Sequence, residues 1–538
     1  LSDLLADDRC TPAFAHPGRV VALGLVDAPE SQDQFPVLVD LEDGGGMMVF
    51  GSGGSGKTTL LRTAALSAEL TAPDGTLAII GLDFASRGLG SIDVLPSTVT
   101  VATGDDLESV TRAIALLDSE LRRRRSLLAT SQAENLTSHL ATHPEAAREL
   151  PRILVLIDGF GGLLSAFADR GGGFAQNLDV WLDMMQSVVT DGRQVGIHTV
   201  ITADRRNAIP ARLHAAISNR LILRQADETS YTEHGIATIR AKGLELEPGR
   251  GLWQGDAVMQ VACVSTEDHS RAQAIALADA AAPTARVGSS ITTSPLPGNV
   301  WLDELAESER RPLHAVVGQS DLTGEPVVAD LTWSHFLVSG PPRSGRSTTL
   351  ITLAGQLAAD HDIWLVGPAS SPLDVTRMQI PDAVMDPAGR IREVITGVSP
   401  EHAAFGRAPT VLPLLEHLAT LLDMGTPRRP QMLLVDDFDM LDDPSLMMVW
   451  DRLAKHDDLR VCAAIESRSL QGFSQNPMLG ELRRSRAILL LQPLDAAEIV
   501  QSTGARVSVR PGLQMVPGRG IFLADRQPTV VQVALSSH

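Results

Sequence analysis

Residues 51–58 form the stretch of this sequence with the clearest chemistry. A short apolar run, residues 47–50, precedes them, and a run typical of a helix follows. Four glycines allow backbone N–H groups to converge on a phosphate, and the N-terminus of the next helix adds positive charge. This context predicts a P-loop, although a glycine turn before an ordinary helix is the simpler alternative. Its candidate ligand-binding residues are Gly51, Ser52, Gly53, Gly54, Ser55, Gly56, Lys57, Thr58 and Thr59.

Two side chains of this loop, with one from a later strand, have the chemistry of a Mg-ATP site. Lys57 can reach the β- and γ-phosphates, and the Thr58 hydroxyl can bind Mg²⁺. Asp158 directly follows the apolar run 153–157, where a strand-end aspartate would hold the same Mg²⁺ through water. The sequence therefore predicts ATP and Mg²⁺ as ligands, with Thr58 and Asp158 at the metal. An aspartate in an ordinary turn is the alternative for Asp158.

The residue after Asp158 argues against fast hydrolysis. P-loop ATPases usually need a carboxylate beside this aspartate to orient and polarise the attacking water, and the sequence has Gly159 there. Glycine carries no group that can polarise water. This half of the chain is therefore predicted to bind Mg-ATP and to hydrolyse it slowly.

The second half of the chain repeats the loop in altered form. The spacing is kept after the apolar run 336–339, but Arg346 stands where the lysine should be. Arginine keeps the positive charge, yet its planar fork does not fit a cradle shaped for an ammonium group. We expect weak nucleotide binding or none, so this loop is either a structural remnant or a weak site. Its candidate residues are Gly340, Gly345, Arg346, Ser347 and Thr348, and its candidate catalytic carboxylates are Asp436 and Asp437.

Other landmarks recur in the same order in both halves. Residues 36–41 resemble residues 326–331, and Pro-Gly-Arg-Gly ends both series of landmarks, beginning at Pro248 and again at Pro517. Recurrence of so many landmarks in order indicates a tandem duplication with a shorter second copy. A segment rich in Pro, Ser, Thr and Gly separates the copies and predicts an interdomain linker. The predicted domains are 1–283 and 300–538, joined by a linker at 284–299.

The pattern of apolar runs predicts the fold class. Strand candidates alternate with helix candidates, and runs such as residues 76–82 and 153–157 are almost continuously apolar. Such runs are typical of strands buried on both faces of a parallel sheet. The predicted fold is α/β, with two tandem P-loop NTPase domains, each a mostly parallel sheet with helices on both faces.

Composition and charge argue against some classes of function. The net charge of −20 does not favour a general affinity for DNA or anionic membranes. Three cysteines without metal spacing are expected to be small buried thiols in a reducing compartment. The run of four arginines from Arg122 to Arg125 falls on a predicted helix, so its members point in different directions. It is interpreted as a solvated face with local salt bridges, with a partner or nucleotide contact as the alternative.

Several segments together resemble a known family. They are the P-loop, the strand ending at Asp158, Gly-Arg-Gln-Val-Gly-Ile-His from Gly192, Asn-Arg-Leu from Asn219 and the two Pro-Gly-Arg-Gly turns. Nearly the whole chain is similar to the FtsK/SpoIIIE-type motor ATPases, which are RecA-like, and most similar to type VII (ESX, WXG100) secretion ATPases of the EccC/EssC kind. The strand end where DNA-translocating relatives carry a Gln sensor reads Thr202-Ala203-Asp204 here, which favours the secretion branch.

The resemblance implies a function that composition cannot supply. The chain resembles the second and third ATPase domains of a longer protein, and because it begins with Leu1 it is expected to be a fragment. An upstream ATPase domain, a membrane anchor, a WXG100-type secreted partner and assembly as a homo-hexamer are implied. So is a place in the cytoplasmic portion of a membrane-associated protein at a bacterial inner membrane. The expected role is regulation and substrate recruitment, with a DNA translocase and a tandem pseudo-ATPase scaffold as alternatives.

Two further hypotheses concern contacts with other chains. Arg220 and Arg224 could act in trans as arginine fingers, or could form ordinary salt bridges at a strand edge. The apolar residues 446–450 could line a groove for an amphipathic helix of a secreted protein. The alternative is that they simply pack a helix onto the sheet.

Overall fold

The chain folds into two compact units, each built around one large sheet. The computed structural model describes residues 1–536 except 30–31, 169–177, 256, 266–269, 282–290, 292–295, 306–310, 374–399, 426, 428, 473, 495–503, 505–512, 514 and 525–526. The division between the two units falls at residues 293 and 294. We call the described residues up to 291 unit 1 and those from 296 unit 2. The predicted linker at 284–299 lies mostly outside the described residues, so the predicted boundaries stay a prediction.

Unit 1 contains ten strands of one sheet. They are β1 (Val20–Ala28), β2 (Asp33–Asp40), β3 (Met47–Phe50), β4 (Leu77–Asp83), β5 (Thr98–Thr103), β6 (Arg152–Asp158), β7 (Ile197–Ala203), β8 (Asn219–Leu223), β9 (Arg250–Trp253) and β10 (Ala257–Val261). Its helices are α1 (Ser2–Leu5), α2 (Thr11–Ala15), α3 (Lys57–Thr71), α4 (Leu107–Thr130), α5 (Leu136–Thr142), α6 (Phe160–Ala168), α7 (Leu178–Asp191), α8 (Ala211–Ala216), α9 (Glu228–Glu233), α10 (Thr238–Ala241) and α11 (Ser270–Ala281).

Unit 2 repeats this arrangement in fewer residues. Its strands are β11 (Val300–Trp301), β12 (His314–Ser320), β13 (Pro326–Asp330), β14 (Phe336–Gly340), β15 (Asp362–Gly367), β16 (Ala403–Phe405), β17 (Gln431–Val435), β18 (Leu459–Glu466), β19 (Ala487–Leu491), β20 (Arg519–Ala524) and β21 (Gln527–Leu535). Its helices are α12 (Arg346–Leu357), α13 (Ala408–Asp423), α14 (Met447–Leu453), α15 (Ser467–Gln471) and α16 (Pro477–Arg483).

The two sheets have the same strand order, which supports the duplication. The order is β2-β1-β10-β9-β8-β3-β7-β6-β4-β5 in unit 1 and β13-β12-β21-β20-β19-β14-β18-β17-β15-β16 in unit 2. Strands from β8 to β5 run parallel, and the pairs from β8 back to β2 are antiparallel. The predicted α/β fold with two mostly parallel sheets is confirmed. The carboxyl ends of β3, β6 and β7 meet at one edge, and this edge carries the site.

The central parallel strands are buried on both faces because helices cover both sides of the sheet. In β6, Ile153 and Val155 pack with α4 and α7, whereas Leu154 and Leu156 pack with α3. Neighbouring residues of a strand point to opposite faces, so a strand covered on both sides must be apolar at nearly every position. Packing on both faces fixes the position of each strand end, and the polar side chains lie at these ends.

The arginine run on α4 differs from its interpretation as a solvated face. Arg124 is 1% exposed, and its guanidinium donates to the carbonyl oxygens of Val195 and Pro151 and to the carboxylate of Glu120. The other three arginines do form the local ion pairs that were expected. Arg124 instead joins α4 to the segments before β6 and β7, so it is a structural side chain.

Two other expectations are also corrected. Cys10 and Cys462 are buried, but Cys263 is exposed, so the prediction of buried thiols is wrong for that cysteine. The proposed groove at 446–450 is not open, because Leu446, Val449 and Trp450 are almost completely buried in the core of unit 2. These residues pack α14 and the turn before it onto the sheet, and Met448 alone of the five is largely exposed.

Stability of unit 1 should fall on acidification because of His198 on β7. Its ring is buried with Nε2 3.4 Å from the Arg152 guanidinium, and burial lowers the pKa of His198 to about 3. The unfolded chain binds this proton below about pH 6.5 and the folded chain does not, so stability is lost as pH falls from 6.5 towards 3. We expect a loss of about 2 kcal/mol between pH 7.5 and 5.0 from this side chain.

Urea unfolding at these two pH values checks the prediction, with His198→Gln as the comparison. Glutamine keeps an acceptor for Arg152 but does not titrate. The variant should lose less stability than the parent by that amount, and equal losses in the two proteins would contradict the assignment to His198.

Candidate functional site

The loop of unit 1 has the backbone of a phosphate cradle. It joins β3 to α3, with φ of 68° at Gly54 and 106° at Gly56. A Cβ on Gly56 would lie 3.0 Å from the backbone of Gly249, whose N–H donates to the Ser55 carbonyl. A Cβ on Gly53 would meet nothing within 4 Å, so the inner side of the loop is open. The Pro-Gly-Arg-Gly turn therefore supports the loop from behind and explains why Gly is needed at position 56.

Lys57 begins α3 and turns back over the loop. Its ammonium donates to the carbonyl oxygens of Gly51 at 2.6 Å and Ser52 at 2.8 Å, and to the carboxylate of Asp204 at 2.8 Å. Its side chain is 10% exposed. A lysine ammonium has three N–H donors, and all three have acceptors here.

Thr58 and Asp158 lie together, as the sequence predicts for a metal pair. The Thr58 hydroxyl is 2.6 Å from Asp158 Oδ2, and the Thr202 hydroxyl is 2.7 Å from Asp158 Oδ1. Asp158 is fully buried, and burial raises the pKa of its carboxyl although both hydroxyls favour the charged form. A bound cation would stabilise this carboxylate, because it would compensate the desolvation that burial imposes.

These groups border a cavity of about 1050 Å³ that fits a nucleotide. The loop from Gly53 to Thr59 lines one side, and Asp158, Gly159, Asp204 and Cys263 line others. Among the described residues no cluster of three or more His, Cys, Asp or Glu could hold a metal by itself. Mg²⁺ usually takes one or two protein ligands and completes its shell with phosphates and water, so Thr58 and Asp158 fit that ion.

Gly159 leaves the cavity without a second carboxylate beside Asp158 at the end of β6. Its φ is 75°, and a Cβ there would lie 3.2 Å from the Cβ of Ala85. Its N–H donates to the Thr202 hydroxyl, so the backbone at this position helps to hold Asp158 through Thr202.

Unit 2 keeps the shape of the loop but changes its charges. Gly345 has the same φ of 106° as Gly56, and Gly518 supports Ser344 as Gly249 supports Ser55. Arg343 occupies the position of Gly54 and keeps its left-handed conformation, with a φ of 65°. The cavity beside this loop is smaller, about 470 Å³, and Thr348 and Arg346 are among its lining residues.

Arg346 is paired differently from Lys57. Its Nη2 is 2.9 Å from the carboxylate of Asp437, which sits at the position of Gly159 and has a φ of 44°. Its Nη1 is buried and has no hydrogen-bond partner among the described residues. Burial and the neighbouring Asp436 raise the pKa of Asp437, while Arg346 lowers it. The cation of this loop is thus held by the second carboxylate, and the fit to a Mg-nucleotide is poor.

Asp436 keeps the place of Asp158 in unit 2. It accepts hydrogen bonds from the hydroxyls of Ser347 at 2.9 Å and Ser371 at 2.6 Å. The structure therefore brings together Ser347, Arg346, Asp436 and Asp437 as the sequence predicts, around a loop whose cation is already neutralised.

The two candidate arginine fingers are held within unit 1. Arg220 donates to the carbonyl of His214, and its Nε is buried. Arg224 lies beside the P-loop of unit 1. Its backbone carbonyl accepts a hydrogen bond from the Ser52 N–H at 2.9 Å, and its guanidinium would be 3.8 Å from a Cβ on Gly54. The hydrogen bond of Arg220 favours a role within unit 1, whereas the role of Arg224 in trans stays a prediction.

Sequence reasoning missed Ser371, and it noted Thr202 and Asp204 at the strand end without predicting their contacts in the site. Thr202 and Asp204 lie at the end of β7 and just beyond it, and Ser371 follows β15. Residues at the carboxyl ends of parallel strands converge at one sheet edge, so polar residues at those strand ends are candidates for the site.

A comparison with protein-family models finds a match within unit 1. Residues 21–254 match the FtsK/SpoIIIE family. Unit 1 is therefore similar to the FtsK/SpoIIIE family over these residues. Among curated relatives, ESX-5 secretion system protein EccC5 of Mycobacterium marinum is 27% identical over 96% of this chain and 39% of its own length. Type VII secretion system protein EssC of Staphylococcus aureus is 24% identical over 45% of this chain and 15% of its own length.

A solved structure matches both units. Thermomonospora curvata EccC (ATPases 2 and 3), in complex with a signal sequence peptide, has a TM-score of 0.67 and 18% identity over 97% of this chain and 94% of that one. At this identity the likeness shows the fold. The resemblance to EccC/EssC ATPases is confirmed, and the chain spans about two fifths of the length of the EccC5 relative. No helix among the described residues is long and apolar enough to span a membrane.

Proposed function

We propose that the chain is the nucleotide-binding regulatory and substrate-recruiting part of a type VII secretion ATPase. The observation that carries this proposal is the contrast between the two loops. Lys57, Thr58 and Asp158 of unit 1 border a cavity of about 1050 Å³ and fit Mg-ATP, whereas unit 2 has the bulkier Arg346 beside a cavity of about 470 Å³. The curated relatives are type VII secretion proteins, and one similar EccC structure holds a signal sequence peptide.

The residues of unit 1 would divide the work of binding between them. The loop N–H groups and Lys57 would hold the phosphates of ATP, and Thr58 with Asp158 would hold Mg²⁺. Bound Mg²⁺ would offset phosphate charge, and Thr202 keeps Asp158 oriented in either state. Without a carboxylate at Gly159, this site would act mainly as a nucleotide-dependent structural switch.

Turnover by the chain should be slow, and Gly159→Asp should raise it. Removing one group that stabilises a transition state commonly costs about 10²–10³ in rate, so we expect a kcat well below about 1 s⁻¹. Aspartate tolerates a positive φ, and Asp437 has this conformation in unit 2. Phosphate release under saturating Mg-ATP measures the rate, with Gly159→Asn as the uncharged control. A parent rate above about 1 s⁻¹ would contradict the prediction.

Substrate recruitment is tested with a WXG100-type protein from the same genome. Calorimetric titration of the intact chain, with and without Mg-ATP, should give saturable binding whose affinity changes with nucleotide. The Lys57→Ala protein should bind without that change. Absence of binding at high micromolar concentration would refute recruitment, while binding that ignores nucleotide would refute its regulation by unit 1.

The proposed assembly rests on the resemblance to EccC/EssC ATPases. An upstream ATPase domain and membrane anchor of the same chain would place these units at the cytoplasmic face of a bacterial inner membrane, and a homo-hexamer is the proposed form. DNA is a poor fit to a net charge of −20. Binding of duplex DNA at low salt with a micromolar or tighter affinity would favour a translocase instead.

A further inference from the structure

The carboxylate of Asp204 is one of the three acceptors of the P-loop lysine in unit 1. It lies 2.8 Å from Lys57 Nζ in the cavity of unit 1, and its side chain is 74% exposed. The other two acceptors of Lys57 are backbone carbonyls of Gly51 and Ser52. The N–H groups of these two residues are themselves bonded, to the carbonyls of Ala203 and Arg224. Because that backbone is fixed, Asp204 is the acceptor that an incoming phosphate would replace.

Strand pairing explains why Asp204 reaches this lysine. Phe50 at the end of β3 is in register with Ala203 at the end of β7. Asp204 therefore leaves the sheet directly beside the first residue of the loop. In unit 2, Glu466 ends the equivalent strand in register with Gly340, yet Arg346 pairs with Asp437 instead. The Lys57–Asp204 pair is thus specific to the unit that fits a nucleotide.

We propose that Asp204 is a specificity-determining residue that disfavours the γ-phosphate and so raises the relative affinity of unit 1 for ADP. This inference rests on the proposed nucleotide binding. The β-phosphate of either nucleotide would lie in the cradle of backbone N–H groups and would also reach Lys57, whereas the γ-phosphate, which ATP alone carries, would bring further negative charge to Lys57 and Asp204. A carboxylate displaced from Lys57 stays beside that phosphate and repels it. ADP has no such group, so it loses less from the presence of Asp204.

The test is to measure ATP and ADP binding to the intact chain before and after Asp204→Asn. Asparagine has nearly the same shape and no charge. The variant should bind Mg-ATP about tenfold more tightly, an estimate that allows for the exposure of Asp204, and Mg-ADP less than about threefold more tightly. Fluorescent-nucleotide displacement at fixed salt and excess Mg²⁺ gives both dissociation constants without relying on turnover.

Two controls separate this effect from a general change in charge. Asp204→Glu keeps the carboxylate and should keep the parent's preference. Asp93→Asn removes an exposed carboxylate that does not line this cavity and should change neither constant. An unchanged ratio of ATP to ADP affinity in Asp204→Asn would overturn the inference, even if turnover fell. Failure of the parent and the variant to bind either nucleotide would overturn nucleotide binding by unit 1 as well.

Discussion

Replacing Lys57 with alanine should abolish most ATP binding by the chain, whereas replacing Arg346 with alanine should change it little. Lys57 is the cation whose ammonium faces the open cradle of unit 1, and it exchanges one acceptor when phosphate binds. Arg346 is already bound to Asp437 at 2.9 Å. Hydrogen bonds from charged groups contribute about 1.5–3 kcal/mol each, so we expect the affinity to fall at least about tenfold on loss of Lys57.

Equilibrium binding of labelled ATP, with thermal unfolding as a check on folding, gives the measurement. Lys57→Arg is an informative partner, because it places the guanidinium of unit 2 into the loop of unit 1. If this variant also loses ATP, the shape of the cation matters as well as its charge. Binding that survives Lys57→Ala and disappears with Arg346→Ala would place the nucleotide in unit 2 and refute the assignment.

The loops and the duplication could be predicted because their signals are local. A P-loop is one continuous segment, and an apolar run before Asp158 places that residue at a strand end without knowledge of its neighbours. The same is true of Asp436. Both sheets followed, since runs that are apolar at every position must be covered on two faces. The antiparallel strands β9 and β10 were harder to predict from the sequence, because they are short and have no continuous apolar run.

The partners of the two loop cations could not be predicted because they depend on which strands are neighbours. Asp204 is far from Lys57 in the sequence and reaches it only because β7 lies beside β3. Asp437 was predicted as a catalytic carboxylate, yet its contact with Arg346 was not, because this contact needs the longer side chain of arginine and the left-handed backbone of Asp437. Which charges compete for one cation therefore depends on which strands are neighbours at the sheet edge. The spacing of residues in the sequence does not show this.

The sequence also could not show which of the four arginines is buried. Helical spacing shows that Arg122, Arg123, Arg124 and Arg125 point in different directions, but it does not say which direction meets the rest of the fold. The residue that meets it lies beside Pro151 and Val195, which precede β6 and β7. Their carbonyl oxygens accept hydrogen bonds from the guanidinium, and these bonds hold it in the core.

Arg124→Ala should therefore destabilise unit 1 by about 3–5 kcal/mol, while Arg125→Ala should cost less than about 1 kcal/mol. The first change leaves two buried carbonyls without their donor and Glu120 with Arg123 as its remaining partner. Burial already opposes charging at this position, since it lowers the pKa of Arg124. The second removes an ion pair with Asp191 in which both side chains are about half exposed. The two arginines are adjacent on α4, so helix propensity is matched.

Hydrogen exchange in β6 and β7, combined with urea unfolding, reports this loss within unit 1. Arg124→Met adds a second comparison, because methionine fills much of the volume and restores none of the hydrogen bonds. If unpaired carbonyls dominate, methionine should recover less than half of the loss; if packing dominates, it should recover most of it. Equal stability of the Arg124→Ala and Arg125→Ala proteins would show that the carbonyls find other donors, and that α4 is not fastened to the sheet through this guanidinium.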